Sequence, residues 1–186
     1  MYFPKRKEIR LKEYDYSANG AYFVTVCTKD RKNILSTIRV GGAHTPSANV
    51  SPHSGRRPCR RILDAPYIEL TEKGEIVREQ FEIMNHLYED INVKHYVIMP
   101  NHIHFIIEIK KSGGTSGRPS PTRSNSALSK YVGTFKRFTD KKCGDDIWQR
   151  SYYDHIIRNE ADFIEKQNYI INNPAKWLED EYFNEG

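Results

Sequence analysis

The sequence predicts an α+β domain with a mainly antiparallel sheet, and three observations carry that prediction. Ala21–Thr28 (AYFVTVCT), Ile91–Met99 (INVKHYVIM) and His102–Ile109 (HIHFIIEI) are dense in β-branched and aromatic residues, as strands are. Thr71–Tyr88 and Ala127 to about Lys141 instead repeat apolar residues at helical spacing. Strands and helices also mix without a regular βαβ alternation, which disfavours a parallel sheet.

In chain order, Ala21–Thr28 is the first strand, and KDRKNILSTI leads on toward a hairpin partner. Gly41–Arg61 is rich in Gly, Pro, Ser and Arg without apolar period and reads as a flexible insertion. PYIEL returns as a short strand. Thr71 can cap a helix whose apolar positions are Ile76, Val77, Phe81, Met84, Leu87 and Tyr88. Two strands follow, separated by Pro100 and Asn101, residues that suit a tight turn. A second flexible insertion spans about 112–126. Ser126 then caps a helix with Leu128, Tyr131, Val132, Phe135 and Phe138 on one stripe. After the partly extended IWQRSYYDHIIRN, Asn159 caps a last helix that runs to about Asn173, where Pro174 discourages continuation. No internal repeat is present, and 186 residues are most economically one domain.

Composition narrows the function classes. No apolar run is long enough to span a membrane, and the first residues lack the apolar core of a secretion signal. Three scattered cysteines, Cys27, Cys59 and Cys143, form no CxxC pair; they fit a reducing cytoplasm and argue against a thiolate zinc site. A net charge of +5, with 12 tyrosines and 8 phenylalanines, is compatible with a polyanionic partner whose bases stack on aromatic rings.

The chemistry concentrates in VIMPNHIHFIIEI. Period-two geometry puts His102 and His104 on one strand face and Ile103, Phe105, Ile107 and Ile109 on the other. A core direction therefore exists and the imidazoles point away from it, just after a turn, where a site can be open to substrate. Two neutral imidazoles side by side make a bidentate anchor for a divalent metal, which needs a further ligand from elsewhere. On the last helix, Phe163, Ile164, Gln167, Ile170 and Ile171 form the expected core stripe. Tyr169 falls roughly 160° from its centre, with Asn173 one turn on and within about 40° of it. From the residues alone, the pair is either a nucleophile beside a ligand or an exposed tyrosine beside an asparagine that ends the helix.

Taken together, MPNHIHFII, GTFKRFTDK, IWQRSYYDHIIRNE and YIINNPAKW resemble, in order, the motifs of single-tyrosine transposases with a histidine–hydrophobic–histidine motif. The chain is most similar to the REP-associated tyrosine transposases, relatives of the insertion-sequence 200/605 enzymes. The match runs from Tyr22 to Trp177; Gly41–Arg61 and the length of Ser112–Asn125 are not part of the pattern. The resemblance implies a ferredoxin-like α+β domain that nicks and rejoins single-stranded DNA at palindromic, hairpin-forming repeats. It implies that His102 and His104 hold Mg²⁺ or Mn²⁺, with Asn173 at the third ligand position, and that Tyr169 is the nucleophile. It leaves monomer or homodimer open. Lys136, Arg137, Trp148, Gln149 and Arg150 are the candidates for DNA contact, with Trp148 reading equally well as a core residue. Tyr152 and Tyr153 rank as weaker rival nucleophiles. Asp154 and His155 are candidates to support the site, and His86 and His95 read as structural. Two other functions compete: a metal-dependent hydrolase that activates water, and a domesticated DNA-binding protein that no longer cuts.

Overall fold

The computed structural model describes residues 19–39, 66–110 and 126–183. The insertions expected at 41–61 and 112–125 lie outside the described residues. Elements follow the order β1 (Gly20–Cys27), β2 (Ser36–Arg39), β3 (Tyr67–Leu70), α1 (Glu72–Leu87), β4 (Ile91–Ile98), β5 (His102–Ile109), α2 (Ala127–Cys143), β6 (Tyr153–Ile157) and α3 (Glu160–Asn172). A 3₁₀ segment, Asn173–Glu179, continues from α3.

Strands β4, β5, β1 and β6 form one sheet in that spatial order, antiparallel at every pairing. With α1 between β1 and β4, and α2 between β5 and β6, this is the ferredoxin-like arrangement the sequence implied. Strands β2 and β3 pair separately as a two-stranded ribbon.

The helix starts are fixed locally. Thr71, Ser126 and Asn159 each accept a hydrogen bond from the backbone N–H three residues on, at Gly74, Ser129 and Asp162. Helix α2 ends on Gly144, whose φ of 68° suits a residue without a Cβ.

One sheet face meets α1 and α2. Tyr22, Val24 and Val26 of β1 and Ile103, Phe105, Ile107 and Ile109 of β5 close against Val77, Phe81 and Met84 and against Leu128, Tyr131, Val132 and Phe135. The Phe81 and Phe135 rings lie 4.5 Å apart between the two helices. Fully burying side chains of this size is worth about 1.5–3 kcal/mol each, so this face holds the sheet flat and rigid beneath the other one.

The opposite face carries α3 and the 3₁₀ segment. Val97, Met99 and Ile106 pack there against Ile170 and Trp177. Here the helical-wheel expectation is corrected. Ile164 and Ile171 are 47% and 64% exposed, whereas Ile170 is buried and Phe163 and Gln167 are half-buried. The helix is rotated relative to the predicted stripe, and the rotation brings Tyr169 toward the sheet. Pro174 does not send the chain away either. Sitting at the start of the 3₁₀ segment, where no N–H is required, it lets the backbone wind on until Trp177 reaches the sheet.

Candidate metal and nucleophile site

Strand register builds the floor of the site. Across the β1–β5 ladder, Cys27 faces His102, Thr25 faces His104 and Phe23 faces Ile106. These side chains share the α3 side of the sheet. The two imidazoles sit 4.5 Å apart, centroid to centroid, at 68°.

Each ring is held by its Nδ1. Asn101 uses its amide nitrogen on two carbonyls, Tyr182 at 2.7 Å and Arg31 at 3.3 Å, which turns Oδ1 toward His102 Nδ1 at 2.8 Å. An amide oxygen only accepts, so His102 Nδ1 carries the proton and Nε2 keeps its lone pair. Thr25 Oγ1 lies 2.8 Å from His104 Nδ1 and holds that ring in place.

The consequence is an unusual set of atoms. His102 Nε2, His104 Nε2 and Asn173 Oδ1 are all buried and have no hydrogen-bond partner. Leaving a polar atom in that state costs about 1–3 kcal/mol, and three of them share one region. Burial, reinforced by the Arg31 charge and opposed by Asp180, lowers the His102 pKa to about 4. His104 is held well below its ordinary value by burial and by His102. Both rings are therefore neutral near pH 7, the form that binds metal.

Asp180 completes the constellation, and the sequence reading did not find it. A carboxylate oxygen of Asp180 and one ring nitrogen from each histidine all lie within 4.8 Å of one another. Asn173 Nδ2 donates to Asp180 Oδ2 at 2.9 Å, which turns the asparagine oxygen the other way. Two imidazole nitrogens, an amide oxygen and a carboxylate are ligand types that suit a divalent cation.

Tyr169 reaches this cluster within the same chain. Its ring lies 5.1 Å from His104 and 5.8 Å from Phe23, both edge-on. It is 39% exposed and borders a cavity of about 480 Å³ that Asn173 and Asp180 also line. Burial first, then the charges of Asp180 and Glu181, raise its pKa to about 12, against a hydrogen bond from Asn173.

The site is covered rather than open, contrary to expectation. His102 and His104 are 0% and 1% exposed. A C-terminal strap, residues 180–183, lies over them: the Tyr182 ring sits 4.7 Å from His102 and 5.9 Å from His104. Two bonds hold it down, Asn101 Nδ2 to Tyr182 O and an Arg31 guanidinium N–H to Glu181 O at 3.2 Å.

The expected DNA contacts fare unevenly. Trp148 is corrected: it belongs to the α1–α2 core, with its indole N–H donating to Thr139 at 2.6 Å, so no ring face is left for a base. Lys136 spends its ammonium on the Gln149 and Ser151 carbonyls, tying α2 to the segment before β6. Arg137 and Arg150 are exposed, and Gln149 borders a groove shared with Lys29 and Arg150.

Of the rival tyrosines, Tyr152 turns toward α2, its hydroxyl 3.1 Å from Ser129 Oγ. Tyr153 pairs with Thr25 and so shares the histidine side, at the exposed sheet edge. His155 bonds Asp162 at 3.0 Å at the start of α3. Asp154 pairs with Val24 and faces the opposite side. His86 caps its own helix turn through Glu82 O, and His95 packs edge-on against Phe163 of α3.

Comparison with known proteins adds kinship. No family model matches the chain. It is 29% identical to an uncharacterised protein of Haemophilus influenzae over 96% of its own length and 93% of that protein's. It is 24% identical to the REP-associated tyrosine transposase of Escherichia coli over 56% of this chain and 60% of that one. Among solved structures, that of a REP-associated tyrosine transposase bound to a REP hairpin superposes with a TM-score of 0.50 at 18% identity, covering 90% of this chain and 74% of the other. The two share their fold.

Proposed function

From the premise that this chain is a relative of the REP-associated tyrosine transposases, we propose that it is a transposase that cuts and rejoins single-stranded DNA beside hairpin-forming repeats, with Tyr169 as nucleophile. One observation carries the reading. Three buried donor atoms without a hydrogen-bond partner, His102 Nε2, His104 Nε2 and Asn173 Oδ1, belong to residues gathered at the Asp180 carboxylate, with the Tyr169 ring 5.1 Å from His104. The reading takes residues 1–186 as one catalytic domain.

His102, His104 and Asn173 would hold a divalent metal, with Asp180 beside them. When bound, the ion supplies Lewis-acid charge against the oxygens of the scissile phosphate. The protein's own part is then definable. The rigid β1–β5 ladder fixes both imidazoles, Asn101 fixes the His102 tautomer, and Thr25 orients the His104 ring. Helix α3 aims the phenol. Tyr169 Oη attacks phosphorus, the bond to O3′ breaks, and a 5′-phosphotyrosine and a free 3′-hydroxyl result. Attack by a 3′-hydroxyl on that ester restores the phenol and joins strands, so no nucleotide cofactor is consumed. Asp180, which lines the same cavity as Tyr169, would take the phenol's proton. Arg137, Gln149, Arg150 and the partly engaged Lys136 would guide the strand.

The test is covalent capture. Labelled hairpin DNA with single-stranded flanks is incubated with the protein and Mn²⁺ and run on a denaturing gel. We expect a protein–DNA adduct that is absent in Tyr169→Phe and nearly absent in His102→Ala. If Tyr169→Phe still cuts and releases 5′-phosphate ends, the protein is a hydrolase. If wild type binds DNA but leaves it intact, it is a non-cleaving binder. Either outcome rejects the proposal.

A further inference from the structure

Resting on the reading above, we infer that the slot filled by Tyr182 is a nucleobase subsite, with Arg31 as the residue that stacks on the base. The strap supplies its own clue. It sets a carboxylate, Asp180, among the donor atoms and an aromatic ring, Tyr182, immediately beside it, joined by the Tyr182 N–H bond to Asp180 Oδ1 at 2.8 Å. An anion and a ring at that spacing have the chemistry of one nucleotide. Tyr182 is only 7% exposed, so its six-membered ring is enclosed by the residues around it.

What lines the slot points the same way. The Arg31 guanidinium lies 5.0 Å from the Tyr182 ring centre, in cation–π contact, and the His102 ring lies 4.7 Å from it. Arginine and histidine planes are surfaces on which unpaired bases stack. The backbone that delivers Arg31 is strained: Asp30 and Arg31 have φ of 58° and 54°, uncommon for residues with a Cβ. The turn is locked by Arg31 N–H to Thr28 O at 3.2 Å and by Asn101 Nδ2 to Arg31 O. Asn101 also orients His102, so one side chain sets both the base slot and the metal-side imidazole. Strain held by such an arrangement marks a position set for a ligand.

The experiment compares oligothymidylate with an abasic strand of the same length, which keeps every phosphate and removes every base. Binding to the full chain is measured by fluorescence anisotropy in EDTA, so that no strand is cut. Tyr182→Ala should tighten oligothymidylate binding about tenfold and leave the abasic strand unchanged, while Tyr182→Phe, which keeps the ring, should match wild type. Adding Arg31→Gln to Tyr182→Ala should abolish the gain for oligothymidylate alone. Equal tightening of both strands would make Tyr182 a mere plug, and equal weakening of both by Arg31→Gln would make Arg31 a phosphate contact; each overturns the inference. No effect of Tyr182→Ala on either strand overturns it too. If the Tyr169 adduct forms while the two strands behave alike, this inference falls alone. If no single-stranded DNA binds to any variant, the proposed function falls with it.

Discussion

On the α1–α2 side of the sheet, Val24, Ile103, Phe105 and Ile107 meet helices through apolar contacts alone. One residue along each strand, on the α3 side, Thr25, His102 and His104 are buried almost as deeply, and each histidine keeps an Nε2 that no hydrogen bond satisfies. The same two central strands thus carry a core optimised for packing and a surface that gives up stability. The strands, their twist and their hydrogen bonds are common to both faces, so the difference belongs to the side chains. That difference is what supports the proposal of a ligand on the α3 face.

Breaking the packed face should have the largest effect. Phe105→Ala opens a cavity between Phe81 and Phe135, whose rings stand 5.3 and 6.4 Å from it, and should cost about 3–5 kcal/mol. Urea unfolding monitored by circular dichroism measures this. A cost under 1 kcal/mol would mean that the two faces are not built differently.

The polar face should be the acid-sensitive one. His102 has its pKa lowered from 6.5 to about 4 by burial, and His104 is lowered in the same sense. The unfolded chain therefore binds protons first as pH falls. Stability is fully present above pH 6.5 and is lost as pH drops toward 4, by up to roughly 3 kcal/mol for His102. Melting curves in EDTA at stepped pH should show the decline, and His102→Leu should flatten it. An unchanged slope in that variant would place the sensitivity elsewhere.

Replacing His102 should separate stability from metal binding. His102→Leu removes the unsatisfied Nε2 but also the Nδ1–H that Asn101 accepts, so the two effects offset and stability in EDTA should change by less than about 1 kcal/mol. It should also abolish the rise in melting temperature that millimolar Mn²⁺ gives the wild type by binding only the folded state. A variant that is destabilised in EDTA and still stabilised by Mn²⁺ would remove the metal from this face.

The two faces also differ in how far the sequence discloses them. Alternation in β1 and β5 and the period of α1 and α2 are packing signals, and the structure follows them down to the caps Thr71, Ser126 and Asn159, except that Leu87 and Phe138, expected on the stripes, are exposed. The paired histidines are legible for the same reason, because strand period two leaves no freedom in where they point. Asp180 is not legible. It lies beyond Pro174 with no period to read, and it reaches the histidines because the 3₁₀ segment closes through Asp180 N–H to Trp177 O at 3.2 Å. Trp148 is ambiguous in the sequence, because an aromatic beside Arg150 suits either the core or a stacking platform. Only the tertiary partner, Thr139 on α2, shows that its N–H is spent inside.

Helix α3 is the intermediate case, and the smallest expected effect tests it. Its apolar residues occupy more of the circumference than the sheet can cover, so the wheel alone could not choose between Ile170 and Ile171. The choice falls to Asn173 and Trp177, buried on the same side as Ile170, which pull the helix round. Ile171→Ser should then change stability by less than about 0.5 kcal/mol, as expected of an exposed position, whereas Ile170→Ser should cost several times more. Equal costs for the two would restore the predicted stripe, turn Tyr169 away from His104, and with it remove the geometric basis for a nucleophile on this helix.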